Sequence, residues 1–478
     1  MRTFSNFAWM FLRTEGDYNF SSGSRGRGNL SSTANPYFLF PQIYNFRYNI
    51  YSSEWPVANR AIELYLQKKS ENEGWERQIN GLSNNEKANL LLEKHTFKEL
   101  LADVEQRNLQ NNIVGLEASR LFARSEINMG VDAFRDSLYA MLKRNTFLNI
   151  KFENMLDTLG EMSRTDLYSY LKEWEQLTPL PFYSIGEPEL TKVVNKGGEE
   201  FFVLKVLVSN NSDYDGIIQM NVLQNGWWYQ PMEDPRARKK VEIAAHTSKE
   251  FVSVWEEQIR DVEINTMVSG NLPYMIRQSI GNVKQERNKI VKDTIYTLPE
   301  SSLEMPGEVI VDNEDSTLFV LSTPAVVGLL PKWLDKVEDT SFKYSGISWW
   351  RAPLQWTATT NAKYYGKYIR SAYVIKSGDG SQTATWKIPV PEAGQYELYY
   401  HVFKDDELRW NDRLQGEYHF RVAYDSEMED AYINLRKANE GWEQLGTYYF
   451  SADTVRVVLT DECKLRSVTA DAVKIVKR

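Results

Sequence analysis

From Trp55 onward, apolar residues recur at three- and four-residue steps, the period of helices that each bury one face. Pro56 suits a first helical turn, and Ala61, Ile62, Leu64, Tyr65 and Leu66 gather on one side. Leu90, Leu91, Leu92, Phe97, Leu100, Leu101 and Val104 continue the pattern, followed by Val114, Leu116, Ala118, Leu121 and Phe122. Beyond Gly130 a stripe of Val131, Phe134, Leu138 and Leu142 predicts another helix, and Met155, Leu156 and Leu159 a shorter one. Thr165 and Asp166 read as the start of a last helix carrying Leu167, Tyr170, Leu171 and Trp174, and Pro179 and Pro181 close the region. These stripes predict the core of a helix bundle before they predict a binding surface.

The period then changes to two. Phe201–Val208 alternates as a strand and ends in the turn cluster Ser209–Asp213. Ile217–Leu223, Lys240–Ile243 and Phe251–Trp255 are further strands, and together they suit an antiparallel sandwich. Residues 281–305 are charged and mixed, and read as a connection between domains. Strand signals resume at Glu308–Val311 and Thr317–Leu321, with residues 322–345 as a loop or insertion. From Ser371 short strands recur, at Ala372–Ile375, Thr383–Ile388, Gln395–Phe403, Tyr418–Ala423, Met428–Asn434, Gly446–Phe450, Thr454–Thr460 and Ala470–Val476. Pro391, Gly394, Asp425 and Gly441 punctuate them, the pattern of a second sandwich or jelly roll. Residues 1–54 are aromatic and loop-like, and the basic Ser21–Gly28 loop lacks phosphate-loop spacing.

Length agrees with this division: 478 residues at roughly 100–200 per domain make about three. A net charge of −9 opposes nucleic-acid binding, which needs a basic field to meet phosphates. Cys463 is the one cysteine, so no disulfide forms within the chain, and near the end of a β domain it reads as a small buried apolar residue. The apolar run Phe7–Leu12 is shorter than a signal-peptide core, and no stretch has the length of a membrane span. The chain is then either cytoplasmic or does not begin where the natural protein begins.

Catalytic patterns are missing. Zinc hydrolysis needs two His one helical turn apart with a Glu beside them, but the four His lie at 95, 246, 401 and 419. No nucleophile elbow, dinucleotide fingerprint or Walker motif occurs. No catalytic residue, metal ligand or cofactor is therefore expected. The remaining candidate chemistry is aromatic display, because Trp and Tyr faces stack on the C–H faces of pyranose rings. Trp349, Trp350, Trp356 and Tyr365 form the candidate platform, with Tyr364, Tyr368 and the Trp227-Trp228-Tyr229 run as neighbours in kind.

Two stretches look familiar. Gly130-Val131-Asp132-Ala133-Phe134, Thr146–Leu156 and Trp174–Pro181 punctuate residues 111–185 in the manner of the helical end of gluzincin zinc aminopeptidases. That resemblance implies an immunoglobulin-like sandwich next in the chain. It carries over no catalytic residue, because the zinc motif is missing and Asn112–Glu117 has no Tyr where those enzymes offer one. Glu308–Asn313, Trp386–Tyr399, Gly441–Phe450 and Thr469–Lys474 resemble the golvesin C-terminal, or xanthan-lyase carbohydrate-binding-like, domain, with residues 314–348 as an insertion.

The combined expectation is a multidomain α+β chain: a helical, aminopeptidase-like remnant over 1–182, an immunoglobulin-like β-sandwich over 183–305 and a golvesin-like antiparallel sandwich or jelly roll over 306–478. Its expected function is non-catalytic binding or scaffolding in a bacterial cell envelope, periplasmic or at the cell surface. The partner would be polysaccharide or surface glycan, or a membrane-protein or peptidase chain, and no nucleic acid. The rival expectation is the downstream part of a zinc aminopeptidase whose metal site lies in a missing segment or another chain.

Overall fold

A computed structural model describes residues 48–66, 73–177, 179–194, 197–224, 234–281, 283–287, 291–300, 303, 307–322, 342–347, 352–404, 416–425 and 427–478. A helical region comes first, and strands make up most of the described residues beyond it. The helices are α1 (Ala58–Leu66), α2 (Glu73–Asn80), α3 (Asn84–Leu92), α4 (Phe97–Ala102), α5 (Gln110–Met129), α6 (Val131–Arg144), α7 (Phe152–Ser163) and α8 (Leu167–Lys172). Ser83 with Glu86, and Thr96 with Glu99, form capping boxes that satisfy the first N–H groups of α3 and α4. The stripes meet as predicted: Ala61, Ile62, Tyr65, Phe122, Phe134, Leu138, Leu156 and Trp174 share one core. Val104 is instead 61% exposed, because the chain leaves helical conformation after Ala102.

One pairing in this region is illegible in the sequence. β1 (Tyr48–Tyr51), inside the predicted N-terminal loop, runs parallel to β2 (Leu148–Lys151). Each strand has only four residues and the partners lie a hundred positions apart, so no local period announces them.

The middle region contains β3 (Tyr183–Ile185), β4 (Glu189–Val194), β5 (Glu200–Asn210), β6 (Gly216–Gln224), β7 (Arg238–Ile243), β8 (Thr247–Trp255), β9 (Ile259–Asn265), β10 (Met275–Ser279), β11 (Val283–Arg287) and β12 (Thr294–Pro299). One sheet has the order β10-β9-β6-β7; the other runs β11-β4-β5-β8-β12, with β3 also on β5. Both sheets contribute buried residues to one core, Leu204, Val206 and Phe251 from one and Ile218, Val262 and Ile276 from the other. The expected connection over 281–305 is corrected here: β11 and β12 are the two edge strands of the second sheet. Edge strands keep a solvated side, so Lys284, Glu286 and Arg287 are compatible with a strand.

The C-terminal region contains β13 (Glu308–Val311), β14 (Phe319–Ser322), β15 (Thr357–Thr360), β16 (Ser371–Lys376), β17 (Thr383–Pro389), β18 (Gly394–Val402), β19 (Glu417–Tyr424), β20 (Glu427–Asn434), β21 (Gly441–Phe450), β22 (Thr454–Thr460), β23 (Ser467–Ala470) and β24 (Val473–Lys477). They form sheets of order β13-β24-β18-β21, β14-β17-β22-β19-β20 and β15-β16-β23. Trp386, Ile388, Leu398, Tyr400, Phe420, Val457 and Ile475 fill the core between them. The single strand expected over Ala470–Val476 is two strands in different sheets, with the chain crossing at the buried Asp471. Part of the expected 314–348 insertion also belongs to the fold, since β14 pairs with β17.

The three regions touch. Leu82, Leu272, Tyr344 and Ala358 bury against one another, so each region contributes to one small core. A Cβ on Gly346 would overlap the Ile79 carbonyl, which makes glycine the residue that lets this backbone approach α2. Lys240 pairs with Glu126 across the helical and middle regions, both side chains almost fully buried, and the Tyr65 hydroxyl donates to Glu126 at 2.8 Å. Among the described residues no helix is long and apolar enough to cross a membrane.

Candidate functional site

Along β18 the side chains alternate between Tyr396, Leu398, Tyr400 and Val402, all buried, and Glu397, Tyr399 and His401, which point to the other side. Register brings partners to that outer side. Trp442 of β21 stands opposite His401, and Lys474 of β24 stands opposite Tyr399. Tyr365, from the loop before β16, closes the group. Its ring centroid lies 5.0 Å from Trp442 and 5.8 Å from His401, and the His401 and Trp442 rings meet edge to face at 5.1 Å. The Lys474 ammonium lies 4.9 Å from the Trp442 centroid and 5.3 Å from that of Tyr399, while pairing with Glu308 at 2.8 Å.

Asp471 fixes this arrangement from beneath. Its carboxylate accepts the Tyr365 backbone N–H at 3.2 Å and lies 2.9 Å from His401 Nδ1. Burial pushes the Asp471 carboxyl above its ordinary range, opposed by His401, the Tyr365 N–H and Arg370. Asp312 is pushed up further, first by burial and then by the charge of Asp471. Arg370 is lowered to about 10 by burial. The hydrogen bond to Glu397 raises the Tyr399 hydroxyl.

The Tyr365 loop is also held from the other side. The Leu272 N–H donates to the Tyr368 carbonyl at 3.0 Å, the Arg370 N–H donates to the Leu272 carbonyl at 2.6 Å, and the Phe182 and Tyr368 rings lie 5.5 Å apart. A Cβ on Gly366 would overlap the Ile369 carbonyl, so the tight return of this loop depends on glycine. The middle region thereby helps to position an aromatic ring that faces the C-terminal sheet.

Of the sequence candidates, Tyr365 alone is placed in this group. Trp356 is buried in the C-terminal core, its ring enclosed by protein. Trp349 and Trp350 lie outside the described residues, as does the Trp227-Trp228-Tyr229 run. Tyr364 is buried against Phe403. Trp442 and Tyr399 stand inside the golvesin-like motifs, where sequence alone reads them as structural, and His401 draws attention only as a metal ligand. The i, i+2 spacing of Tyr399 and His401 is the available signal, but their meeting with Trp442 and Lys474 depends on register.

His95 is exposed in the turn between α3 and α4. Burial raises the Cys463 thiol, as suits an unreactive residue. Among the described residues no three His, Cys, Asp or Glu side chains are grouped to hold a metal.

Residues 350–477 match the golvesin C-terminal domain family. No curated protein matches the chain. Among solved structures, a β-glucuronidase of Bacteroides uniformis aligns over 65% of this chain and 32% of its own length, at 10% identity and a TM-score of 0.19. The Bacteroides uniformis β-glucuronidase 2 bound covalently to cyclophellitol-6-carboxylate aziridine aligns over 65% and 31%, at 11% identity and a TM-score of 0.18. The Sulfolobus turreted icosahedral virus structure aligns over 62% and 92%, at 10% identity and a TM-score of 0.13. The chain thus spans about a third of the glucuronidases, and at these TM-scores the likeness says nothing about function. The aminopeptidase resemblance of residues 111–185 gains no support from these comparisons.

Proposed function

We propose that this is a non-catalytic binding or scaffold protein of a bacterial cell envelope, whose C-terminal domain holds glycan on the outer face of the β13-β24-β18-β21 sheet. The observation that carries the reading is the meeting of Tyr365, His401, Trp442 and Lys474 above a buried Asp471. Half-buried aromatic rings offer apolar area at little entropic cost. The golvesin match supports a carbohydrate-binding-like domain and a role outside the cytoplasm. In this reading residues 1–182, 183–305 and 306–478 are three domains, the second an immunoglobulin-like sandwich and the third a jelly roll. The two sheets that share one core in the middle region support the sandwich.

The test is a glycan array of neutral and uronate-containing oligosaccharides, probed with the full chain and with Trp442→Ala. Binding by the wild type that falls about tenfold or more in the variant, with an unchanged far-UV spectrum, supports the reading. Wild-type binding that survives Trp442→Ala moves the site elsewhere, and an array with no wild-type signal overturns the proposal.

A further inference from the structure

The opposite sheet carries a second arrangement that the first site does not use. Tyr432 on the edge strand β20 stands opposite His419 of β19. Their rings lie nearly parallel, 15° apart in plane with centroids at 5.0 Å. His419 is only 8% exposed and is anchored at both ring nitrogens. Nε2 lies 2.9 Å from Asp430 Oδ1 and Nδ1 lies 3.2 Å from Thr460 Oγ1, with Glu462 Oε2 at 3.5 Å from Nδ1. Tyr432 leans on this fixed imidazole yet remains 57% exposed. The Asp430 and Glu462 side chains, exposed at 59% and 63%, flank it.

We propose that Tyr432 is a second carbohydrate-binding platform, which takes the apolar face of a pyranose ring while Asp430 and Glu462 accept hydrogen bonds from its hydroxyls. The assignment of carbohydrate as the ligand class rests on the reading of the first face. Three features select a sugar ring. The Tyr432 ring is held against His419 before binding, so little rotamer entropy remains to be lost. Exposed carboxylates at its edge suit a ligand rich in hydroxyl donors and repel an acidic one. The surrounding outward positions, Thr383, Thr385, Val458 and Arg421, lie on the same side of the sheet in register, a broad surface beside the edge. The two platforms belong to different sheets, so one chain would engage a polymer at two points and gain avidity.

Isothermal titration of the full chain with cellohexaose, mannohexaose and a galacturonate hexamer, alongside the array, separates this inference from the first. The expected result is about two neutral hexasaccharides per wild-type chain and about one in each of Tyr432→Ala and Trp442→Ala, with Tyr432→Phe keeping the wild-type value. A wild-type stoichiometry of one that Trp442→Ala abolishes and Tyr432→Ala leaves untouched overturns the second platform and leaves the first standing. A Tyr432→Ala chain that melts lower but still binds two hexasaccharides also overturns it, because the ring is then only a cross-strand stabiliser. Loss of galacturonate binding alone in Tyr432→Ala contradicts the neutral ligand class and overturns it too. Absence of wild-type binding on the array removes both sites.

Discussion

Asp471 shows how one side chain serves fold and site together. It is fully buried, it receives the Tyr365 N–H, and it lies beside His401. Its neighbour Asp312 is raised by burial and by Asp471 itself. A carboxyl whose folded pKa lies above its unfolded value stabilises the fold below the unfolded pKa, and that contribution is lost as pH rises through the folded pKa. Asp312→Asn should therefore raise the melting temperature more at pH 8 than at pH 4, since the amide can still accept the Asn313 N–H. A gain of about 2–4 °C at the higher pH, read by scanning calorimetry, corresponds to roughly 1 kcal/mol. An equal shift at both pH values would contradict the assignment. At the first face, Tyr365→Ala should weaken glycan binding while leaving the C-terminal core intact, because its ring is only half-buried.

At the scale of elements, the sequence conceals both edge strands of the second middle sheet, the charged β11 and the uncharged β12. β11 runs beside β4 in parallel and β12 runs beside β8, so both complete the second sheet of the middle region. A chain ending at residue 280 should therefore lose both edge strands, expose the edges of β4 and β8, and aggregate. Light scattering of the truncated chain against one ending at residue 305 checks this; equal solubility would show that β11 and β12 are dispensable. Local patterning does identify the elements with a clean period. Phe134, Leu138 and Leu142 repeat every four residues and are all fully buried in α6. Tyr396, Leu398 and Tyr400 alternate and are all buried in β18. The break at Asp471 is hidden because Val468, Ala470, Ala472 and Val473 are apolar on both sides of it. Hydrophobicity marks a buried strand without showing which sheet receives it.

For the whole molecule, the decisive contacts cross between regions. Lys240 and Glu126 are buried together, and removing one partner of such a pair leaves an uncompensated charge. Lys240→Met should cost about 3–5 kcal/mol and separate the melting of the helical region from that of the middle one. A single unshifted calorimetric transition would refute that coupling. Gly346→Val should similarly loosen the junction at Ile79. The sequence by itself determined the helical and β-rich regions, the golvesin-like motifs and most strand positions, because each comes from a local period or a run of neighbouring residues. Tertiary structure decided the rest: the pairing of β1 with β2, the sheet to which each strand belongs, and the meeting of Tyr365, His401, Trp442 and Lys474. Those depend on register and on loops clamped between regions, and the contacts that set them join residues tens to hundreds of positions apart.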